Sequence, residues 1–286
     1  MKIIDTHSHW GTEEYYPLRG KAALEKQKLI WKTEARYWTK QEQADYFRQN
    51  EVRAILDFGI SVGEPMDKVR RMHDDAIEYQ KANPDVILGN WLQVHADDKD
   101  CIREFERVVD AKAGFTGVAI SAHRHKRSPV DPSFTPIYEY CQSANIPVMV
   151  FVGWAAVGAN QPGGDSVLLD WGHPRYIDLI AATYPKLQIV TGRSAWPWAS
   201  ELIGVMLHKP NVWAEFHGMS PRKLTAETRE EIGTRLKKKI MFGCDFPMLR
   251  YEKIAGDWKL EGYSDEVIEN VFYKNAETFL GRIKTA

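Results

Sequence analysis

Cysteine is scarce in this chain. Cys101, Cys141 and Cys244 are the only three, odd in number and scattered. That pattern fits reduced thiols in a cytoplasmic protein and argues against a disulfide framework. An excess of either charge is missing too. Lys and Arg total 38 against 39 Asp and Glu, with no basic stripe or acidic tail, so nucleic acid is a poor partner. No apolar run approaches the ~20 residues of a bilayer span, so no membrane partner is expected. The N-terminal stretch lacks a basic segment followed by a long apolar one, so no signal peptide is expected. Linkers, low-complexity tracts and short repeats are also absent, and residues 1–286 read as a single domain.

What is present is a regular alternation. Strand-like apolar runs occur at Ile3-Asp5, Arg53-Phe58, Val86-Val94, Gly117-Ser121, Val148-Gly153, Leu187-Thr191, Asn211-Phe216 and Ile240-Gly243. Helical patterns separate them, from Gln41-Gln49 to a last one near Asp265-Leu280. Eight such pairs in this length predict a (β/α)8 barrel. A doubly wound open sheet would usually place a Gly-rich turn after its first strand, where His7-Ser8-His9-Trp10-Gly11 stands instead. The stretch 11–39 breaks the rhythm, with Tyr15, Tyr16, Trp31, Tyr37 and Trp38 among many charges. Its length predicts a partly helical insertion that covers the barrel mouth as a lid or makes a dimer contact.

Asp5-Thr6-His7-Ser8-His9 ends the first strand. Residues two apart on a strand share a face, which would put Asp5, His7 and His9 on one side. Two neutral imidazoles there present lone pairs to a divalent cation. Asp245 follows the eighth strand on the same rim, where a carboxylate can ligate a metal or take a proton from water.

These motifs resemble the amidohydrolase superfamily. Asp5-x-His7-x-His9 and Phe242-Gly243-Cys244-Asp245-Phe246-Pro247 are most similar to the amidohydrolase-related branch, which includes aminocarboxymuconate semialdehyde decarboxylase and resorcylate-type decarboxylases. Asp131-Pro132-Ser133-Phe134, His173-Pro174-Arg175-Tyr176 and Pro210-Asn211-Val212-Trp213 extend the likeness over nearly the whole chain. The resemblance implies a metal-dependent enzyme acting on a small molecule, and a homodimer. Two histidines of the family pattern are replaced, by Phe151 at strand 5 and Arg193 after strand 6. Neither a phenyl ring nor a guanidinium ligates a metal.

Three site readings follow. His7, His9 and Asp245 hold one metal, with zinc expected first and manganese or iron as alternatives. New ligands come from His95, His123, His125 or His217. Or no metal binds and Asp245 acts as general base. Arg193 is expected to grip a carboxylate or steady an oxyanion, with Arg124 and Arg127 as further anion contacts. Trp154 and Trp196 are expected as an apolar wall, and His123 and His217 as substrate contacts. The first expected activity is hydrolysis of an ester, lactone, thioester or amide bond of a small carboxylated or aromatic substrate. Decarboxylation of an aromatic or unsaturated acid is the alternative. A metal-independent lactonase, a non-haem iron oxygenase and a non-catalytic relative complete the set.

Overall fold

A computed structural model describes residues 2–17, 20–32, 34–59 and 63–283. Eight strands run parallel in sequence order: β1 (Ile3–His9), β2 (Val52–Asp57), β3 (Ile87–Leu92), β4 (Phe115–Ile120), β5 (Val148–Phe151), β6 (Ile189–Gly192), β7 (Val212–Glu215) and β8 (Ile240–Met241). β1 meets β8 at Asp5 and Phe242, where the Thr6 N–H donates to the Phe242 carbonyl at 2.9 Å. The expected (β/α)8 barrel is the observed fold.

The helices cover the outside for reasons visible in their spacing. In Met66–Ala82 the buried positions Val69, Met72, His73, Ala76 and Ile77 recur at helical spacing and pack on the sheet. Lys40–Gln49 starts with a capping box, in which the Thr39 hydroxyl accepts from the Glu42 N–H and Glu42 accepts from the Thr39 N–H. The last helical run spans Asp265 to Leu280, with a π turn at Asn270–Lys274. Among the described residues no helix is long and apolar enough to cross a membrane.

One buried side chain from each strand fills the barrel: Ile4, Ile55, Trp91, Ala119, Met149, Val190, Trp213 and Met241. The small Ala119 offsets the two indoles, so the layer packs without a pore. Ala276, Phe279 and Ile283 join this cluster from the last helical run. The insertion contains a helix, Lys21–Trp31, and is tied to the rim by the Arg250 guanidinium donating to the Glu34 carbonyl at 2.8 Å. Leu18, Arg19 and Thr33 of the expected lid lie outside the described residues.

β1 departs from the simple alternation, because its register with β2 shifts between Asp5 and Ser8. The bulge turns Asp5 and Ser8 away from His7 and His9. Asp5 therefore does not share their face. Its carboxylate instead accepts hydrogen bonds from the His7 N–H (3.0 Å), the Cys244 N–H (3.1 Å), the Tyr251 hydroxyl (2.7 Å) and the Ser8 hydroxyl. Burial still outweighs these donors and raises its pKa to about 6.

Asp5→Ala leaves those donors without an acceptor at the β1–β8 seam. A loss of about 3 kcal/mol or more is expected in urea unfolding at neutral pH, with a smaller loss for Asp5→Asn. A wild-type midpoint for Asp5→Ala would show that barrel closure does not rest on this carboxylate.

Candidate active site

His7 and His9 end β1 inside the barrel mouth, and Asp245 follows β8 with a left-handed φ of 69°. The Asp245 N–H donates to the His7 carbonyl at 3.0 Å, which fixes the two strand ends together. All three side chains are buried and line a cavity of about 430 Å³. His7 Nε2 lies 3.4 Å from His9 Nε2, and His9 Nε2 lies 3.0 Å from Asp245 Oδ1.

The surroundings of each ring set its tautomer. His9 Nδ1 faces the Asp57 carbonyl at 3.0 Å, an acceptor, so this nitrogen carries hydrogen and Nε2 points to Asp245. His7 Nδ1 faces Met149 Sδ at 3.2 Å and Glu215 Oε1 at 3.4 Å, again acceptors, which leaves the His7 Nε2 lone pair bare. Burial, then the fields of His217, His9 and Arg193, pushes the His7 pKa well below the ordinary imidazole value. Burial also disfavours the His9 cation, but the hydrogen bond and charge of Asp245, with help from Asp57, raise its pKa overall. Asp245 is held below the usual carboxylate range, because His9, His217 and Arg193 together outweigh its burial.

A bare nitrogen beside an imidazole and a carboxylate fits a cation. Donors bonded at ~2.1 Å to one ion stand about 3.0 to 3.4 Å apart, depending on geometry. The observed separations of 3.0 and 3.4 Å match that spacing. His7, Glu215 and His217 form a second group of converging donors. There, however, His217 Nδ1 and Glu215 Oε1 are 2.5 Å apart, too close for two ligands of one ion and right for a hydrogen bond. We assign a proton to that contact.

Glu215 organises the layer beneath the three donors. Its carboxylate accepts from His217 Nδ1 and, at 2.7 Å, from the His217 N–H. The His217 ring stacks on His7 with centroids 3.6 Å apart and planes 9° from parallel. His217 Nε2 in turn accepts from Arg193 Nε at 3.2 Å, while Arg193 Nη1 donates to the Trp154 carbonyl at 3.3 Å. Phe151 sets its ring edge-on against both His7 and His217, at 5.5 and 5.7 Å. The space for Glu215 comes from Gly243, where a Cβ would stand 2.2 Å from Oε2.

Of the other residues expected at the site, His123, Arg124, Trp154, Arg193 and His217 line the cavity with His7, His9 and Asp245. Trp196 does not line it and is 57% exposed. Arg127 also lies outside, paired with Asp97 at 2.7 and 2.8 Å. His95 and His125 are buried away from the cavity. Sequence reasoning missed Glu215 and Asp57. Glu215-Phe216-His217 repeats the alternate spacing of His7-Ser8-His9, and that was the available signal.

Residues 4–282 match the sequence profile of the amidohydrolase family. No protein of curated function matches the chain. Among solved structures, an uncharacterized TIM-barrel protein from Bordetella bronchiseptica is similar with a TM-score of 0.74 at 18% identity, over 99% of each chain. The 5-carboxyvanillate decarboxylase of Sphingomonas paucimobilis gives a TM-score of 0.69 at 16% identity, also over 99% of each chain. That of Novosphingobium aromaticivorans, solved with manganese and 4-hydroxy-3-methoxy-5-nitrobenzoic acid, gives 0.70 at 16% identity, over 98% of this chain and 96% of that one.

Two outcomes are expected from this geometry. A cation must displace the His9 proton, so apparent Mn²⁺ affinity measured by calorimetry should fall about tenfold per pH unit below the His9 pKa and level off above it. A pH-independent affinity would remove His9 from the ligand set. Gly243→Ala should push Glu215 off His217 and weaken Mn²⁺ binding roughly tenfold or more. Unchanged binding would show that Glu215 does not orient the rings.

Proposed function

The chain belongs to the amidohydrolase family, and we propose that it is a divalent-cation-dependent decarboxylase of a small aromatic or unsaturated carboxylic acid. The observation that carries this reading is the convergence of His7 Nε2, His9 Nε2 and Asp245 Oδ1 in one cavity with the Arg193 guanidinium. The two similar decarboxylases, one with manganese bound, support decarboxylation above the hydrolysis expected first from sequence. Manganese is the preferred ion on the same ground, ahead of zinc.

The chemistry supplied by a divalent cation held by His7, His9 and Asp245 is Lewis-acid polarisation of a substrate oxygen. Arg193 binds the acid. Its Nε is engaged by His217 and its Nη1 by Trp154, so the fork is fixed and Nη2 stays free for a carboxylate oxygen. Phe151 presents apolar surface beside His7, which keeps water from a carboxylate seated there and favours neutral CO₂ over the charged acid. When the bond from the substrate carbon to its carboxyl group breaks, the electron pair stays on the carbon. The carbon takes its proton from water, and the hydroxide left over combines with the CO₂ as bicarbonate; Asp245 Oδ2, which makes no hydrogen bond among the described residues, orients that water.

Hydrolysis of an ester, lactone, thioester or amide is the second reading. It is favoured by the ionised Asp245 carboxylate, whose free Oδ2 suits a base towards water.

The test is turnover by protein loaded with Mn²⁺, Zn²⁺ or Fe²⁺, with CO₂ release from hydroxybenzoic and unsaturated acids measured beside hydrolysis of lactones, esters and acyl thioesters. We expect CO₂ release with Mn²⁺, reduced at least ~10²-fold in His9→Ala and Asp245→Asn. Hydrolysis without CO₂ release, lost in the same variants, selects the second reading. Turnover untouched by both variants would put the active site elsewhere.

A further inference from the structure

One buried carboxylate of this chain is poorly supplied with partners. Asp5 accepts from its seam donors, Glu104 is held by His73 and Arg107, Glu215 by His217, and Asp257 by Lys253. Asp57 is different. It ends β2, is 2% exposed and lines the cavity with His7 and His9. Its Oδ1 accepts from the Gly59 N–H at 2.8 Å, but Oδ2 accepts from no donor among the described residues. What Oδ2 faces is His7 Nε2 at 3.9 Å, the nitrogen whose lone pair is bare. Two electron-rich atoms turned towards each other repel, and a buried charge without a partner is costly. A cation beside them, with water between it and the carboxylate, removes that cost.

The register of β1 and β2 brings Asp57 there. Asp5 pairs with Ala54 before the bulge, and Ser8 with Leu56 and His9 with Asp57 after it. Without the extra residue Asp57 would stand beside Ser8, whose side chain turns away from the cavity. The bulge instead sets Asp57 level with His9 and on the same face. Its carbonyl takes the His9 Nδ1 hydrogen at 3.0 Å while its carboxylate faces His7, so one residue meets both imidazoles. Charge favours the same role. Two neutral imidazoles and the Asp245 carboxylate leave a divalent cation with excess positive charge, in a cavity that Arg193 also lines. Apart from the His217–Glu215 contact assigned a proton above, only His7, His9 and Asp245 converge closely enough among the described residues to bond one ion. Asp57 therefore acts one layer out.

We propose that Asp57 is a fourth protein group of the cation site: its Oδ2 accepts a hydrogen bond from water on an ion held by His7, His9 and Asp245, and its charge stabilises that ion where Phe151 offers no donor. This rests on the cation-site reading above and not on which substrate bond breaks. Asp57 is a positioning residue in this role, since it acts through the ion and its water.

Calorimetric titration with Mn²⁺ alone, at one pH and ionic strength, tests it beside thermal melts of the Mn²⁺-free protein. Asp57→Asn is expected to weaken Mn²⁺ binding about ten- to a hundredfold. The Mn²⁺-free melt should stay level or rise, because the amide keeps the Gly59 contact, donates towards His7 Nε2 and removes an unpaired buried charge. Asp57→Ser, which also offers Gly59 an acceptor without the charge, serves if the Asn variant does not fold, with the same weakening expected. Wild-type Mn²⁺ affinity in Asp57→Asn, while His9→Ala loses binding, would overturn the role of Asp57 and leave the cation site standing. A lower Mn²⁺-free melt with unchanged affinity would reduce Asp57 to a cap for Gly59 and overturn it as well. No Mn²⁺ binding by wild type, or binding untouched in His9→Ala, would reject the cation-site reading and this role with it.

Discussion

The arrangement depends on one seam, where a strand from the start of the chain meets one from near its end. Asp5 is buried there because it serves both sides: it accepts from the His7 N–H on β1, from the Cys244 N–H just after β8 and from the Tyr251 hydroxyl beyond it. A buried carboxylate costs free energy, and these donors offset part of that cost although burial still outweighs them. The same contacts fix where His7 and Asp245 stand relative to each other. Barrel closure and the convergence of the donors are thus one constraint, and a slip of the seam by one residue would send a donor to the wrong face.

Much of this was legible in the sequence. The alternation of apolar runs with helical patterns announced the barrel, and His7-Ser8-His9 and Asp245 announced their strand ends. The side of β1 on which Asp5 falls was not readable, because a bulge has no composition of its own. Glu215 was hidden for another reason. It sits in an apolar run and looks like an interruption, and only the gap left by Gly243 on the adjacent strand gives it room. Trp154 and Trp196 could not be told apart, since both follow strands but only the first lines the cavity. Position along the chain predicted the rim; direction on the rim came from loop conformation.

The two replaced family positions read differently once their neighbours are in place. Phe151 removes a ligand and adds an apolar edge against two imidazoles. Arg193 replaces an imidazole with a fixed charge, and strand 7 supplies its support, because Glu215 pins His217 and His217 pins the guanidinium. A flexible arginine loses side-chain entropy when it grips a ligand; one held at Nε and Nη1 has lost much of it already. The substitution thus trades a potential ligand for a guanidinium held in one orientation by His217 and the Trp154 carbonyl.

The seam also bears on how the molecule is made. Thr6 and Phe242 are 236 residues apart, and the side chains of Ala276, Phe279 and Ile283 that finish the barrel interior come later still. On a ribosome, β1 waits through nearly the whole of synthesis with one edge unpaired and the Asp5 carboxylate without its distant donors. The partly built sheet must meanwhile keep that edge from pairing with the wrong strand or with another nascent chain. The polar sequence Asp5-Thr6-His7-Ser8-His9, which closes the seam and lines the cavity in the finished barrel, doubles as protection for the half-made one, because a strand so poor in apolar side chains is a weak template for aggregation.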